Sequence, residues 1–364
     1  MTPRTASATL MPLADAVARL APPPVPARRL PVAEAVGAVA ASDCLAPHAL
    51  PRGRTALRDG YAVLAADVVG ASPYAPVPLP SAPDWVEAGA ALPPGTDTVL
   101  PPEALDGDEA VADAPAGEGT RAAGAEAPAG RLLAAGERIS PLHAAGLALA
   151  GITAVEARRP SLTLLVTGEP APDALSPLVA ALLAREGARV TATVSVPDDP
   201  AAIAAAITNA EADAVLVLGG TGFGRRDRSA EGLARAGSLA AHGIALRPGE
   251  TAGFGEAGGR PVLLLPGRPD AMLAATLALG RPLAAALAGR RAESADVRAP
   301  LRRKLSSVIG LAEMVFLQRQ DEGVMPLGGA EIPLHRLLRA DGAVLVPPDV
   351  EGYAGGTMIE FLPL

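Results

Sequence analysis

Up to about residue 150, apolar residues come in short groups broken by proline and glycine; from Pro160 they form alternating strand-like and helix-like blocks. The strand-like blocks are 162–167, 190–196, Ala214–Leu218 and 261–265. Between and after them lie helix-like stretches at 175–186 (closed by Gly187), 201–209, 230–236 and 270–287. Strands alternating with helices of this length predict a three-layer α/β domain with a mostly parallel sheet. Upstream, Leu13, Ala16, Val17 and Leu20 share one helical face within 12–20, and 32–41 reads as a second short helix. Residues 1–9 read as a loose tail. From 46 to 130 the pattern is irregular and proline-rich, with strand-like pieces at 61–64, Trp85-Val86 and Thr98–Leu100. This reads as a small β-rich module held together by turns. Ser140 and Pro141 open a helix over 140–150, as a cap followed by a first-turn proline should. Beyond Arg298, strand-like pieces at 314–318, Gly342–Val346 and 357–361, with a turn or two of helix at 334–340, predict a small β domain.

Composition narrows this picture little. The 364 residues are 49% hydrophobic but only 2% aromatic, so alanine, valine and leucine must fill the core. A net charge of -8 argues against a nucleic-acid partner, which selects a basic face. The lone Cys44 cannot form an internal disulfide and reads as a small buried residue in a reducing cytoplasm. No signal pattern and no run of about 18 uncharged apolar residues point to a membrane. His48, His143, His242 and His335 have no metal-ligand spacing. Arg302, Arg303 and Lys304 read as a solvated strand edge, and Trp85 as core.

Candidate chemistry concentrates where the central strands end. The segment ADAVLVLGGTGFGRRD (212–227) runs from a fully apolar strand into Gly219, Gly220, Gly222 and Gly224, then Arg225, Arg226 and Asp227. Glycines let backbone amides approach a ligand, and open α/β sheets bind ligands at the carboxyl ends of their strands. Taken alone, the stretch is equally a glycine turn with solvated charges. TGEPAPD (167–173) and PGRPD (266–270) end two further strands, and three such loops on one sheet edge predict a ligand site. There is no dinucleotide-binding glycine spacing and no P-loop lysine-serine pair.

In register along nearly the whole chain, seven segments resemble the molybdopterin molybdenumtransferase family, of the MoeA and gephyrin E-domain type. RDGYAV (58–63) is similar to the family's M-D-G-Y-A, and AGAALPPGTDTVLPPE (88–103) to T-G-A-x-x-P-x-G-A-D-x-V-V-x-x-E. GRLLAAGERISPLHAAGLALAGI (130–152) follows G-x-x-L-L-x-x-G-x-x-L-x-P-x-x-I-G-L-L-A-x-x-G. GGTGFGRRD resembles G-G-T-S-x-G-D-x-D, LRPGE (246–250) the K-P-G-K loop, and LPGRP (265–269) L-P-G-N-P. ADGAVLVPPDVEGYAGG resembles the closing A-D-G-x-x-x-x-P. The resemblance implies an elongated homodimer and four parts. These are a linker domain (1–46 with 131–159), an inserted β-rich domain (47–130), an α/β molybdopterin-binding domain (160–294, MogA-like) and a C-terminal β domain (295–364). It implies insertion of molybdate into adenylylated molybdopterin, with release of AMP and help from Mg²⁺. Asp59, Asp227 and Arg247 would then be catalytic, and Asp59, Glu126, Glu169 and Asp227 would hold the metal. Thr167, Gly168, Gly219, Gly220, Thr221, Gly222, Gly224, Pro248, Gly249, Pro266, Gly267 and Arg268 would hold the pterin and nucleotide. Partners would be a pterin phosphate and a molybdoenzyme or its chaperone, with no nucleic acid or membrane.

Several ligand-loop positions depart from the family pattern. Glu126 and Glu169 stand for aspartates, Pro170 for a glutamate, Gly222 for a serine and Arg225 for an aspartate. Ala88 replaces a threonine, Arg247 and Glu250 the two lysines of K-P-G-K, and Arg268 the asparagine of P-G-N-P. Three readings are therefore open: a re-tuned insertase, a non-catalytic paralogue that carries molybdopterin for a molybdoenzyme, or an unrelated nucleotide-binding enzyme.

Overall fold

A computed structural model describes residues 10–168, 173–290 and 297–364. The tail 1–9 and Glu169 lie outside the described residues.

The centre is a six-stranded sheet. We number its strands β1 (Ser161–Thr167), β2 (Arg189–Val196), β3 (Ala214–Leu218), β4 (Ser238–His242), β5 (Gly253–Ala257) and β6 (Arg260–Leu265). Their spatial order is β2-β1-β3-β6-β5-β4. The first four are parallel, and β5 and β4 extend the sheet antiparallel. Side chains alternate between faces, as the strand pleat requires. Leu162, Leu164, Leu216, Leu218, Leu263 and Leu265 face one helical layer, whereas Leu165, Val215, Val217, Val262 and Leu264 face the other. Both faces are covered, so every residue of β3 is buried. The first layer holds Leu13–Arg19, Ser176–Ala184 and the long helix Pro269–Ala288; the second holds Pro200–Asn209 and Ser229–Ala236. Pro269–Ala288 is long and apolar enough to cross a membrane, but it is 78% buried against this sheet. It carries a π-helical turn at Thr276–Gly280. Glu186, 4% exposed, joins it to the Ser176–Ala184 layer by ion pairs with Arg281 and Arg290.

The antiparallel extension was not expected from the sequence. SLAAH and GFGEA contain small residues and no apolar run that would set them apart from loop. The expected helix at 32–41 is also corrected. It stops at Val32–Ala35, because Gly37 takes a φ of +90° and the chain then enters the strand Val39–Ala40. That strand and Arg28–Pro31 flank Ala154–Arg158 in one small sheet, while Cys44–Ala46 pairs with Gly130–Leu133. Residues on either side of the inserted segment therefore share a core built from Ala35, Leu133, Ile139 and Leu147. Ser140 caps Pro141–Leu149 through the His143 amide at 3.0 Å, and the imidazole of His143 accepts the Ser140 N–H in return.

Strands of two to four residues make up the inserted segment, around two small apolar clusters. Trp85 is not core: it is 46% exposed, edge-on to Tyr61 at 5.1 Å, with its indole N–H on Glu87. The C-terminal sheet centres on Ala312–Gln320, flanked by Gly342–Val346 and Leu246–Arg247, with Gly323–Gly328 also paired to it. Its Met314, Phe316 and Ala343 enter the same core as the central sheet. Arg302, Arg303 and Lys304 are exposed and Cys44 is buried.

Candidate functional site

A cleft of about 340 Å³ opens where β3 and β6 end. Its walls are the turn after β3, the turn after β6 and the segment 249–251 that precedes β5.

The turn after β3 is the most constrained. Gly219 and Gly220 take φ of +97° and +60°, conformations that L side chains resist. Space is short as well. A Cβ on Gly220 would lie 2.8 Å from Ser229 Oγ and 3.0 Å from Thr167 Oγ1. Ser229, fully buried, fixes the turn by donating its hydroxyl to the Gly219 carbonyl at 2.7 Å, and its amide to that of Gly220 at 2.9 Å. Sequence reading missed Ser229; its only signal is a serine at the start of Ser229–Ala236. Across the turn, Gly267 comes close enough that its Cβ would sit 3.4 Å from Gly219 Cα. The end of β1 at Thr167 and the turns after β3 and β6 thus converge at one rim of the sheet.

Asp227 curls back into its own loop. Its Oδ2 accepts the Gly224 N–H at 2.8 Å, and a Cβ on Gly222 or Gly224 would lie 2.8 or 2.7 Å from the same oxygen. The second and third glycines of GTGFG therefore make room for this carboxylate. Thr221, 2% exposed, links the turn to the opposite wall, with its hydroxyl 3.1 Å from that of Thr251. The carbonyl of Thr221 accepts from His242 Nε2 at 2.8 Å, which sets the imidazole tautomer. Phe223, 65% exposed at the lip, rests against that imidazole, with ring centroids 5.3 Å apart.

Of the residues nominated from the sequence, Gly220, Thr221, Gly222, Asp227, Gly249, Pro266, Gly267 and Arg268 line the cleft. Thr167 and Gly219 pack directly behind its glycines. Gly168 and Gly224 belong to the same loops, and Arg247 and Pro248 lead into the Gly249 wall without lining it. Arg247 is half-buried, and its backbone pairs with Glu313 of the C-terminal sheet. Glu250, Thr251 and Ala271 were not nominated and also line the cleft. Asp59 and Glu126 do not. Asp59 accepts the Ala88 N–H at 2.8 Å inside the inserted segment, and Glu126 is ion-paired with Arg121. Among the described residues, no three metal-ligating side chains gather. The Asp59, Glu126, Asp227 set thus does not meet within one chain. Next to the rim, Asp173 takes the Ser176 amide at 3.0 Å and the Leu175 amide at 3.3 Å. Burial opposes its ionisation, but these hydrogen bonds outweigh it and hold the carboxyl below its ordinary value.

Comparison with known proteins places two family descriptions on the chain. "MoeA N-terminal region (domain I and II)" matches residues 11–151, and "Probable molybdopterin binding domain" matches 163–286. Molybdopterin molybdenumtransferase 2 of Mycobacterium tuberculosis is 30% identical over 383 residues, covering 91% of this chain and 93% of the relative. The molybdopterin molybdenumtransferase of Synechococcus elongatus is 29% identical over 391 residues, 94% of this chain and 91% of its own. A molybdopterin biosynthesis MoeA protein of Pyrococcus horikoshii superposes with a TM-score of 0.71 at 25% identity, over 98% of this chain and 99% of that one.

Proposed function

The chain belongs to the molybdopterin molybdenumtransferase family, and from that premise we propose that it inserts molybdate into adenylylated molybdopterin with release of AMP. The observation that carries this reading is the meeting of the glycine turns after β3 and β6 with the segment 249–251 in one cleft beside the start of the long helix Pro269–Ala288. Exposed amides and a helix N-terminus suit a phosphate-bearing, anionic ligand. Asp227 shapes the amide-lined turn, and Arg247, beside the Gly249 wall, supplies positive charge as the phosphoanhydride opens. The carrier reading draws no support from the comparisons, which match molybdenumtransferases along more than nine-tenths of the chain.

Mg²⁺ was expected on Asp59, Glu126, Glu169 and Asp227. The described residues of one chain do not assemble that set, and Asp227 commits an oxygen to its own loop, so the residues of one chain do not fit a resident Mg²⁺. A homodimer offers the missing wall. It is supported by the helix Pro141–Leu149, whose Leu142 and Leu149 are 83% and 73% exposed while Ala144 and Leu147 are buried. In the four-part division, 1–46 with 131–159 form the linker, 47–130 the insertion, 160–294 the ligand domain and 295–364 the terminal domain. It is supported by the strand pairings that flank the insertion.

The test supplies purified protein with adenylylated molybdopterin and molybdate and follows AMP by chromatography, beside rescue of a cell lacking its own insertase. AMP release that depends on molybdate, together with rescue, is expected. A folded protein that gives neither would overturn the reading.

A further inference from the structure

Charge in the cleft is unevenly committed. Three ionised side chains line it: Asp227, Glu250 and Arg268. Both carboxylates are engaged locally, Asp227 with the Gly224 amide and Glu250 Oε2 with the Gly249 amide at 3.0 Å. Arg268 is the one lining cation among the described residues, at a position where the family pattern carries asparagine. Glu250 sits on the facing wall where that pattern carries lysine.

Arg268 is held from behind. Its Nε donates to Asp270 Oδ1 at 2.6 Å, and Asp270 is only 2% exposed although Arg268 is half open to the cleft. The other oxygen of Asp270 accepts the Glu331 N–H at 2.8 Å. Glu331 lies in the turn after Gly323–Gly328 and has a φ of +58°, the single positive-φ non-glycine among the described residues. The Asp270 carboxylate is thus pinned by two elements far apart in sequence. It uses one N–H of the guanidinium, and among the described residues no hydrogen bond uses the Nη groups. A guanidinium fixed at Nε presents a planar fork that matches two oxygens of a tetrahedral oxyanion.

We infer that Arg268 is the oxyanion clamp of this cleft and that Asp270 is the residue that positions it. This rests on the proposed transferase reading and adds which side chain takes the anion and what orients it. The anion is a tetrahedral dianion, either the phosphoryl group of the nucleotide or molybdate. The cation that lines the cleft therefore stands on the helix-start wall in this chain, opposite the wall that carries Glu250, which Arg247 leads into without lining the cleft.

Calorimetric titration of the full-length protein with AMP, and separately with molybdate, tests the assignment on wild type, Arg268→Lys, Arg268→Asn, Asp270→Asn and Arg268→Asn/Asp270→Asn. The double variant removes both charges, so no carboxylate is left buried and unpaired if Arg268→Asn alone fails to fold. Loss of about tenfold or more for one probe in the double variant is expected, and the probe affected identifies the source of the anion. Arg268→Lys should recover only part of it, because an ammonium lacks the fork. Asp270→Asn should weaken the same probe about threefold to tenfold, and the double variant should be no worse than Arg268→Asn, the non-additivity of a coupled pair. Unchanged affinity for both probes in the folded double variant, additive losses, or no binding of either probe by wild type would each overturn the clamp. Molybdate-dependent AMP release retained by the double variant would overturn it while leaving the transferase reading intact.

Discussion

The central sheet and the inserted segment treat their carboxylates alike and their apolar residues differently. Asp227 and Asp59 each take a backbone amide at 2.8 Å. Yet Asp227 sits beside glycines that face a cleft, while Asp59 sits on an exposed turn. In the central sheet, parallel strands of five to eight residues aim their ends at one rim, and Ala214–Leu218 among them is buried on both faces. In the insertion, strands of two to four residues turn back before they can build a wall. Neighbouring parallel strands bring loops together at one edge of a sheet, and only the first region has them. If the homodimer proposed above forms, the second would contribute by being brought to the partner's cleft.

The largest expected effect tests that division directly. Asp59→Asn and Asp227→Asn should each lower AMP release by about 100-fold or more, as expected for groups acting at the reacting centre, without unfolding the protein. Asparagine still offers an oxygen to the Ala88 or Gly224 amide. If the insertion serves the partner's cleft, unfolding and refolding the two variants together should restore about a quarter of wild-type activity, because half of the mixed dimers' sites are intact. No recovery from verified mixed dimers would place both groups in one chain.

Stability should separate the regions next. Leu216, 1% exposed in β3, should cost about 3 kcal/mol on replacement by alanine. Trp85→Ala, at a half-exposed edge-to-face pair, should cost about 1 kcal/mol despite the larger side chain. Urea denaturation followed by circular dichroism measures both, and equal losses would contradict the comparison. Comparable in effect to Trp85→Ala is Gly222→Ala, whose Cβ would lie 2.8 Å from Asp227 Oδ2. It should displace that carboxylate from the Gly224 amide and cost about 1 kcal/mol. A crystal structure of the variant with Asp227 unmoved would refute this account of the glycines.

Least of all, Asp173 should give stability a pH dependence. Its folded pKa lies below the unfolded value, so its contribution is complete above the unfolded pKa and fades as pH falls through the folded one. Asp173→Asn should therefore lower stability above the ordinary carboxylate value of about pH 4, by an amount that shrinks as the pH falls below it. A loss that is constant across that range would sink the assignment.

What could be read from the residue order follows the same division. Ala214–Leu218 is legible to the residue, because five apolar, largely β-branched or leucine residues between Asp213 and a pair of glycines suit a short doubly covered strand. The cleft glycines were legible because they cluster where such strands stop. Asp270 was not. It stands beside Pro269 at the start of a helix, where an acidic residue is usually solvated, and its burial depends on a turn sixty-one residues downstream. The strands Ser238–His242 and Gly253–Ala257 escaped notice because their small residues carry little period. Trp85 departs from the core expected of its bulk because the two clusters of this module are small, and its indole lies 46% exposed against Tyr61.

One stretch holds the cleft to the rest of the molecule. Between residues 243 and 251 the chain bonds to Met11 near its beginning, then to Ala312 and Glu313 of the terminal sheet, and then forms the Gly249–Thr251 wall. The ends of the polypeptide and the mouth of the cavity are thereby sewn along a single seam. Loss of the Met11 bridge or of the pairing with Ala312 and Glu313 would free one side of that seam, even though every wall residue stayed in the chain.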